Sequence, residues 1–274
     1  MRQRIQKVLA SQGIASRREV EAWITAGRLS VNGEPATPGQ AIGPGDDVRL
    51  DGRRLRLQWR EQGESEGLLY HRPSREGLRT ALADGERSTL DRLPRARTGR
   101  WVAVSPMGAG ESGLELFVTD GRLAAALMGR ADALSCEYSL RVRGNFDEER
   151  VADVLKAASE DAESRGSIER LEYAGGEGAN RWAQVAVVGL RPRDLKRIFE
   201  RCGIEVNRTI RTRIGALSMD RSLARGVSRR LTRGEMQSLA TAAGLETDAS
   251  ATASRRPRRQ RPSGRATGSR KPRR

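Results

Sequence analysis

Apolar residues recur at helical spacing near the start of the chain. Ile5, Val8 and Leu9 fall on one face of a short helix. Gly13 ends this helix, because glycine readily takes the left-handed conformation that closes a helix. Residues 16–19 read SRRE, a capping-box sequence that starts a second helix. We therefore expect two short helices packed on each other.

Short strands and tight turns follow these helices. Residues 28–31 alternate like a strand, and Asn32-Gly33 is a strong signal for a tight turn. The sequence PGDD at 44–47 predicts another turn before a strand of sequence VRL. Residues 1–57 are therefore predicted to form one small domain of helices and short strands.

A longer second segment, predicted to cover residues 68–245, mixes strand-like and helix-like stretches. Apolar patterning predicts strands at 101–104, 114–118, 138–142 and 182–187. Helical spacing predicts helices at 122–128, 148–158, 192–202 and 233–243. Regular strand-helix alternation is too rare for a doubly wound fold, so we expect an α+β or mixed α/β domain built on one mixed sheet.

Two segments lack a pattern that predicts a folded core. Residues 58–67 are polar and rich in Gly, Ser and Glu, which is typical of a linker between two domains. Residues 246–274 form a low-complexity tail that is predicted to be disordered. From Ser254 onward the tail has ten Arg or Lys residues and no acid, so subtracting its +10 from +16 leaves about +6 for the rest of the chain.

The charge balance favours a polyanionic partner. Lys and Arg outnumber Asp and Glu by 51 to 35, which gives the chain of 274 residues a net charge of +16. Nucleic acid is the leading partner on this ground, and a merely soluble basic protein or one attracted to anionic lipid is the alternative. Only 36% of the residues are hydrophobic and 4% are aromatic, so modest cores are expected.

The rare residue types argue against several other functions. Cys136 and Cys202 are far apart and have no Cys-x-x-Cys spacing, and His71 is the only histidine. A zinc site and a catalytic apparatus based on histidine are therefore disfavoured, and no metal or cofactor is expected. The chain has neither a stretch of roughly 20 apolar residues nor a secretory signal at its start. A cytoplasmic location without a membrane partner is the resulting expectation.

The first segment resembles a known RNA-binding domain. The sequences RIQKVLASQGIASRREVEAWITAGRLSVNG and PGDDVRL are similar to the S-four (S4) domain, named after a small-subunit ribosomal protein. Arg17 and Arg18 stand in the first turn of the second predicted helix, where backbone N–H groups and the helix dipole favour a phosphate. The alternative is that these arginines are ordinary solvated charges. The predicted RNA-binding residues are Arg4, Lys7, Ser16, Arg17, Arg18, Arg28 and Asn32.

The second segment resembles the bacterial ribosomal-RNA pseudouridine synthases. Residues 101–121 are similar to a stretch that reads roughly V-G-R-L-D-x-x-T-x-G-L-L-L-x-T-x-D-G in that family. Alignment on the shared Gly-Leu and Thr-Asp-Gly residues places the family's essential aspartate on Gly108. The family's preceding arginine falls on Pro106, and its threonine falls on Glu111.

Further motifs extend this resemblance. The sequence CEYSLRV is similar to the family's E-Y-x-V, whose tyrosine packs against the target base; here it is Tyr138, which taken alone would be an ordinary core residue. Residues 173–182 are similar to a glycine-rich turn of the large-subunit branch. The sequence RPRDLKRIF corresponds to R-N-R-E-V-R-R-L, in which the arginine that pairs with the aspartate falls on Lys196, with Arg197 beside it.

The resemblance implies an enzyme that isomerises uridine to pseudouridine in rRNA, yet its reactive carboxylate is missing. Gly108 offers only a hydrogen where a carboxylate should act at the ribose. The first hypothesis is an rRNA-binding protein that has lost isomerase activity. The second is an active isomerase that uses the displaced carboxylate of Glu111; Glu115 occupies a leucine position of the family, so Glu111 is the only serious candidate for this role. The third is a general ribosome-associated binding or assembly factor; the expected partner throughout is rRNA or a pre-ribosomal particle, bound by a monomer.

Overall fold

The computed structural model describes residues 2–57, 59, 65–78, 88–108, 110–129, 134–177, 180–220 and 222–245. These residues form a small N-terminal unit and a larger second unit, which confirms the expected mixed α/β fold. The predicted tail and most of the predicted linker lie outside the described residues. No helix in the described part of the chain is long and apolar enough to cross a membrane.

The N-terminal unit packs two helices against short strands. Its elements are β1 Gln3–Arg4, α1 Ile5–Ser11, α2 Arg17–Thr25, β2 Leu29–Val31, β3 Glu34–Pro35, β4 Ala41–Ile42, β5 Val48–Leu50 and β6 Arg53–Arg54. Strands β3, β2, β5 and β6 form one sheet in that order, and β1 pairs with β4. Both predicted helices are confirmed, because Gly13 follows α1 with a φ of +75° and Ser16 caps α2 by accepting a hydrogen bond from Glu19 N.

The second unit is built around one mixed sheet. Its elements are β7 Gly67–Arg72, α3 Thr89–Arg92, β8 Val102–Val104, β9 Glu111–Val118, α4 Gly121–Gly129, β10 Cys136–Arg143, α5 Arg150–Ser159, β11 Ser167–Glu177, β12 Asn180–Val188, α6 Pro192–Arg201, β13 Glu205–Ile214, β14 Leu217–Ser218, β15 Ser228–Arg230 and α7 Arg233–Ala242. The strand order is β11-β12-β10-β13-β9-β7-β15, while β8 pairs with β9 and β14 with β13. The pairing of β13 with β9 is parallel, and it joins the two halves of the sheet.

Alternate residues of β10 point to two different faces of the sheet. Tyr138 and Leu140 point to the face on which α5 and α6 pack, and they share a hydrophobic core with Phe199 of α6. We call this side the helical face. Ser139 and Arg141 point to the opposite side, the open face, which α5 and α6 do not cover.

The apolar pattern located most of the second unit. All eight strands and helices expected there are present, and no end is shifted by more than three residues. The pattern missed α3, β7, β11, β13, β14 and β15, of which β13 is rich in charged and polar residues and reads like a loop. The turn expected at 173–182 is narrower than predicted, because β11 continues to Glu177 and β12 begins at Asn180.

The second unit also begins earlier than the sequence indicated. Gly67, assigned above to the linker, is the first residue of β7 and pairs with Val118. The preceding Glu66 accepts a hydrogen bond from Arg230 Nη1 and is likewise held by this unit. The last residue of the predicted linker therefore belongs to the sheet. The separation of the chain into two domains by a linker at residues 58–67 stays a prediction.

Candidate active site and RNA-binding surfaces

The loop between β8 and β9 carries the position of the family's aspartate. Gly108 and Pro106 are both exposed on this loop. A Cβ atom added to Gly108 would lie 3.5–3.8 Å from the carboxylate atoms of Glu111, which is ordinary van der Waals contact. The backbone therefore has room for a side chain at position 108.

The Glu111 side chain is turned back toward this glycine. Its Oε2 atom accepts a hydrogen bond from Gly108 N at 2.8 Å, and the residue is only 8% exposed. Glu111 is the first residue of β9, so its carboxylate caps the backbone of the loop that leads into the strand. An acid therefore lies next to position 108, but its carboxylate is hydrogen-bonded to the backbone of the loop.

Arg72 holds the same loop from inside the protein. This residue ends β7 and is fully buried. Its guanidinium donates hydrogen bonds to the carbonyl oxygens of Met107 at 3.2 Å and Glu111 at 3.0 Å. It also donates to the carbonyl oxygen of Gly108. Three backbone carbonyls around the missing aspartate are therefore bound by one guanidinium.

Arg211 of β13 is the second buried cation at this loop. Its Nε donates to the carbonyl oxygen of Leu114 at 2.7 Å, and its Nη1 donates to the carbonyl oxygen of Ser105 at 2.9 Å. The residue is 1% exposed, and its guanidinium also lies against the Tyr138 hydroxyl. Arg211 therefore links β13 both to the loop and to β9.

Glu115 supplies a buried negative charge beside these arginines. Its Oε2 lies 3.5 Å from Nε of Arg72, and its Oε1 accepts a hydrogen bond from Met107 N at 3.3 Å. Burial raises the pKa of the Glu115 carboxyl, while the charges of Arg72 and Arg211 oppose that rise. The family sequence has leucine here, so Glu115 adds a further departure from the family beneath the same loop as Gly108.

Two backbone positions fix the shape of the loop and its strand. Ser105 has a φ of +55°, a left-handed conformation that costs a residue other than glycine about 1 kcal/mol. The family sequence has glycine there, which carries no such cost. Gly113 has a φ of +105°, and a Cβ atom at that position would overlap the backbone of Arg211. Glycine at 113 therefore permits the close approach of β9 to β13.

Tyr138 lies on the helical face next to Arg211. The two residues are directly paired across β10 and β13, and the Tyr138 hydroxyl interacts with the Arg211 guanidinium. Burial raises the pKa of the Tyr138 hydroxyl, so the phenol is neutral at pH 7. The ring is only 1% exposed, and it can stack on a base only after the groups that cover it move.

The two cations that the sequence assigned to the site lie on α6. Arg197 Nη2 donates hydrogen bonds to Asp161 Oδ2 at 2.7 Å and Ser164 Oγ at 3.0 Å. Its charge is therefore paired with the turn after α5, and the cations bound to the loop are Arg72 and Arg211 instead. Lys196 is half-buried and has no ion pair recorded within the described residues, so its role at the site stays a prediction.

Four of the predicted RNA-binding residues of the N-terminal unit are accessible cations. Arg17 and Arg18 are exposed in the first turn of α2, where the sequence placed them. Arg4 is exposed just before α1, and Lys7 is half-buried within it. These four cations are available to phosphates, and their role in RNA binding stays a prediction.

The other three predicted residues have structural partners. Arg28 donates to both carboxylate oxygens of Asp51, at 2.9 Å from Nε to Oδ1, and this hydrogen bonding lowers the pKa of Asp51. Ser16 caps α2. Asn32 has a φ of +55° in the predicted tight turn, and its Oδ1 accepts a hydrogen bond from Asp47 N at 2.8 Å.

Sequence reasoning missed Arg72 and Arg211 as residues of the site. Both lie in strands that the apolar pattern did not reveal, and both are surrounded in sequence by other polar residues. Arg72 stands two residues after the apolar run LLY and in the same strand, which was the available sign that it could be buried. Among the described residues, no cluster of three or more His, Cys, Asp or Glu could hold a metal ion.

Comparison with known proteins gives the same assignment over most of the chain. The S4 domain family matches residues 3–48. Ribosomal large subunit pseudouridine synthase B of Pseudomonas aeruginosa is 36% identical over 89% of this chain, which spans 63% of that protein's length. The proteins of the same name from Salmonella typhi and Vibrio cholerae are 36% and 40% identical over 82% of this chain, which spans 78% and 70% of their lengths.

The solved structures extend the likeness to the fold. A crystal structure of a pseudouridylate synthase covers 86% of this chain and 99% of its own, with a TM-score of 0.55 and 19% sequence identity. At that identity the match shows a shared fold alone. Taken with the S4 domain and the identity of 36–40% to the synthase B proteins, it means that the chain belongs to the pseudouridine synthase family of the ribosomal large subunit synthase B type.

Proposed function

We propose that this protein binds ribosomal RNA and has little or no isomerase activity of its own. The observation that carries the proposal is Gly108, which has no side chain where the family has its aspartate. The two nearest acids on β9, Glu111 and Glu115, are 8% and 0% exposed, and each accepts a hydrogen bond from the loop backbone. Neither carboxylate is directed toward a substrate that enters from solvent.

The missing aspartate is expected to remove most of the rate acceleration. In this reaction a carboxylate acts at the ribose, as nucleophile or base, while uracil is detached, turned and rejoined through C5. Loss of the nucleophile of a catalytic unit costs roughly 10⁴- to 10⁶-fold in rate, or about 5 to 8 kcal/mol of barrier. A hydrogen bond that involves a charged neighbour contributes only about 1.5 to 3 kcal/mol, so it cannot compensate.

Pseudouridine mapping tests this proposal. Ribosomal RNA from cells with and without the gene should carry the same set of pseudouridines. Purified protein should add none above background to unmodified rRNA transcripts. A position that loses its pseudouridine with the gene, and regains it when the wild-type gene is restored, would contradict the proposal.

One observation favours a second candidate, an active isomerase that uses Glu111. The Glu111 carboxylate lies 3.5–3.8 Å from the place of a Cβ atom on residue 108, so an acid is present close to the family position. Pseudouridine at a single position that is abolished by Glu111→Gln would favour this candidate. Glu34→Gln removes an exposed carboxylate of the N-terminal unit and serves as the matched control.

The RNA-binding part of the proposal rests on the S4 domain and the charge of the chain. The names of the relatives refer to the ribosomal large subunit, so we propose large-subunit rRNA as the partner. We further propose that the protein acts as a monomer in the cytoplasm, with a role in ribosome assembly as the broader alternative. We expect the double variant Arg17→Ala/Arg18→Ala to weaken binding of a large-subunit rRNA fragment about tenfold at low salt. Arg143→Ala, an exposed arginine of β10, is the control. Equal affinities of the double variant and the wild type would refute this assignment.

A further inference from the structure

A cavity lies on the open face of the sheet, and Gly108 is not among the residues that line it. The strand register places Ser139 between Gln184 of β12 and Ile210 of β13. The next row on the same face places Arg141 between Trp182 and Arg208. Because Tyr138 points to the helical face, this cavity and the tyrosine lie on opposite sides of β10.

The cavity has the size and lining of a shallow binding site. Its volume is about 390 Å³, within the range of roughly 300 to 1,000 Å³ that is usual for small-ligand sites. The side chains that line it include His71, Ser112, Trp182, Gln184, Arg208 and Arg225. A half-buried indole, an amide and two guanidinium groups therefore meet in one open depression.

Several polar groups of this cavity already have fixed orientations. Gln184 Nε2 donates to Ser139 Oγ at 3.2 Å, which fixes the side-chain amide. His71 Nδ1 donates to the carbonyl oxygen of Leu223 at 2.8 Å, which fixes the orientation of the ring. Polar groups fixed in this way recognise the edge of a base without a further ordering cost.

The charge of the cavity favours an anion. Arg208 Nε is buried and has no hydrogen-bond partner within the described residues, and Arg225 is exposed. Among the described residues that line the cavity, none is Asp or Glu. An aromatic ring beside unpaired guanidinium groups is the arrangement on which proteins stack single-stranded bases and bind the backbone phosphates.

We propose that this open-face cavity holds one nucleotide of a bound RNA chain, with its base against Trp182 and its phosphate within reach of Arg208 and Arg225. This inference rests on the proposed function, because it assumes that the protein binds RNA. It adds a contact on the side of the sheet opposite Tyr138 and independent of Gly108. A free mononucleotide carries the same base and phosphate and is the alternative ligand for this cavity.

Binding of a single-stranded RNA oligonucleotide to the full-length protein tests the inference. Trp182→Leu should weaken binding about 5- to 150-fold, the effect of losing one base stack, and Trp182→Phe should retain most of the affinity. Arg225→Ala should weaken binding and reduce the salt slope by about one unit. Arg122→Ala, an exposed arginine on α4 outside the cavity, is the control for loss of one charge.

Ultraviolet cross-linking of the same RNA gives a readout that does not depend on a substitution. Peptides cross-linked to the RNA should include residues 180–188. Uridine monophosphate, added at the same concentration of bases as the RNA, should not displace the RNA or abolish this cross-link. Displacement by uridine monophosphate would overturn the assignment to an RNA chain in favour of a free nucleotide. Wild-type affinity in both Trp182→Leu and Arg225→Ala, with no cross-link at 180–188, would overturn the site itself. Failure of the wild type to bind any RNA would instead refute the proposed function.

Discussion

Restoring the family's acid at position 108 should destabilise the protein, because a second carboxylate already lies beside it. The Cβ atom of an aspartate at this position would be 3.5 and 3.8 Å from the two carboxylate oxygens of Glu111. Two like charges about 4 Å apart repel by about 4 kcal/mol at an effective dielectric constant of 20. Since Gly108 is exposed and the new side chain can turn toward water, we expect Gly108→Asp to lower the free energy of unfolding by about 1 to 3 kcal/mol.

Urea unfolding of a set of variants at pH 7 measures this effect and separates charge from size. Gly108→Asn adds nearly the same volume without a charge, so it should cost less than about 1 kcal/mol. The double variant Gly108→Asp/Glu111→Thr restores the family's residues at both positions. Its loss of unfolding free energy should be smaller than the sum of the losses in the two single variants.

The pH dependence gives a second readout of the same repulsion. The like charge raises the pKa of the carboxyl pair in the folded Gly108→Asp variant, so the unfolded chain gives up its protons first as pH rises. The deficit relative to wild type should therefore grow between about pH 4 and pH 7. An equal cost for Gly108→Asn and Gly108→Asp, or strict additivity with Glu111→Thr, would refute the electrostatic reasoning.

Four further predictions concern the buried Glu115, the ion pair of α7 and the basic tail. Glu115→Leu, the family residue, should cost about 3 kcal/mol in urea unfolding, because it leaves Arg72 buried without its counter-charge. Burial raises the pKa of the Glu115 carboxyl, so wild-type stability should fall as pH rises above the ordinary carboxyl range, and Glu115→Gln should lack that fall. Hydrogen bonding from Arg229 lowers the pKa of Glu235 to about 2. The carboxylate therefore stabilises α7 above about pH 4.5, and this contribution is lost as pH falls toward 2. Glu235→Gln should lower the free energy of unfolding by about 1 kcal/mol at pH 7 and reduce the loss of stability between pH 4.5 and 2. Deleting residues 254–274 removes ten positive charges and should reduce the slope of log affinity against log salt by several units, and an unchanged slope would rule out the tail as an RNA contact.

The local sequence pattern was sufficient to predict those helices and strands whose own residues show which face is buried or where the element ends. The capping box at Ser16 and the left-handed Gly13 limit α1 and α2 without help from the rest of the chain. Strand β10 was equally readable, because its alternate residues carry the apolar face that meets α5 and α6. Strand β13 could not be predicted from the apolar pattern. Its buried residues Thr209 and Arg211 are polar, and they are buried only because neighbouring strands cover them.

The candidate site divides in the same way. That position 108 has no side chain is a property of one residue in a motif, and no fold can alter it. Which groups surround that position depends on the order β13-β9-β7, which brings Arg72 and Arg211 beneath one loop from strands far apart in the chain. Packing likewise turned the Glu111 carboxylate onto Gly108 N and buried Glu115 against Arg72. Contacts between distant strands arise only when the sheet assembles, because local propensity acts over a few residues and carries no information about which strands become neighbours.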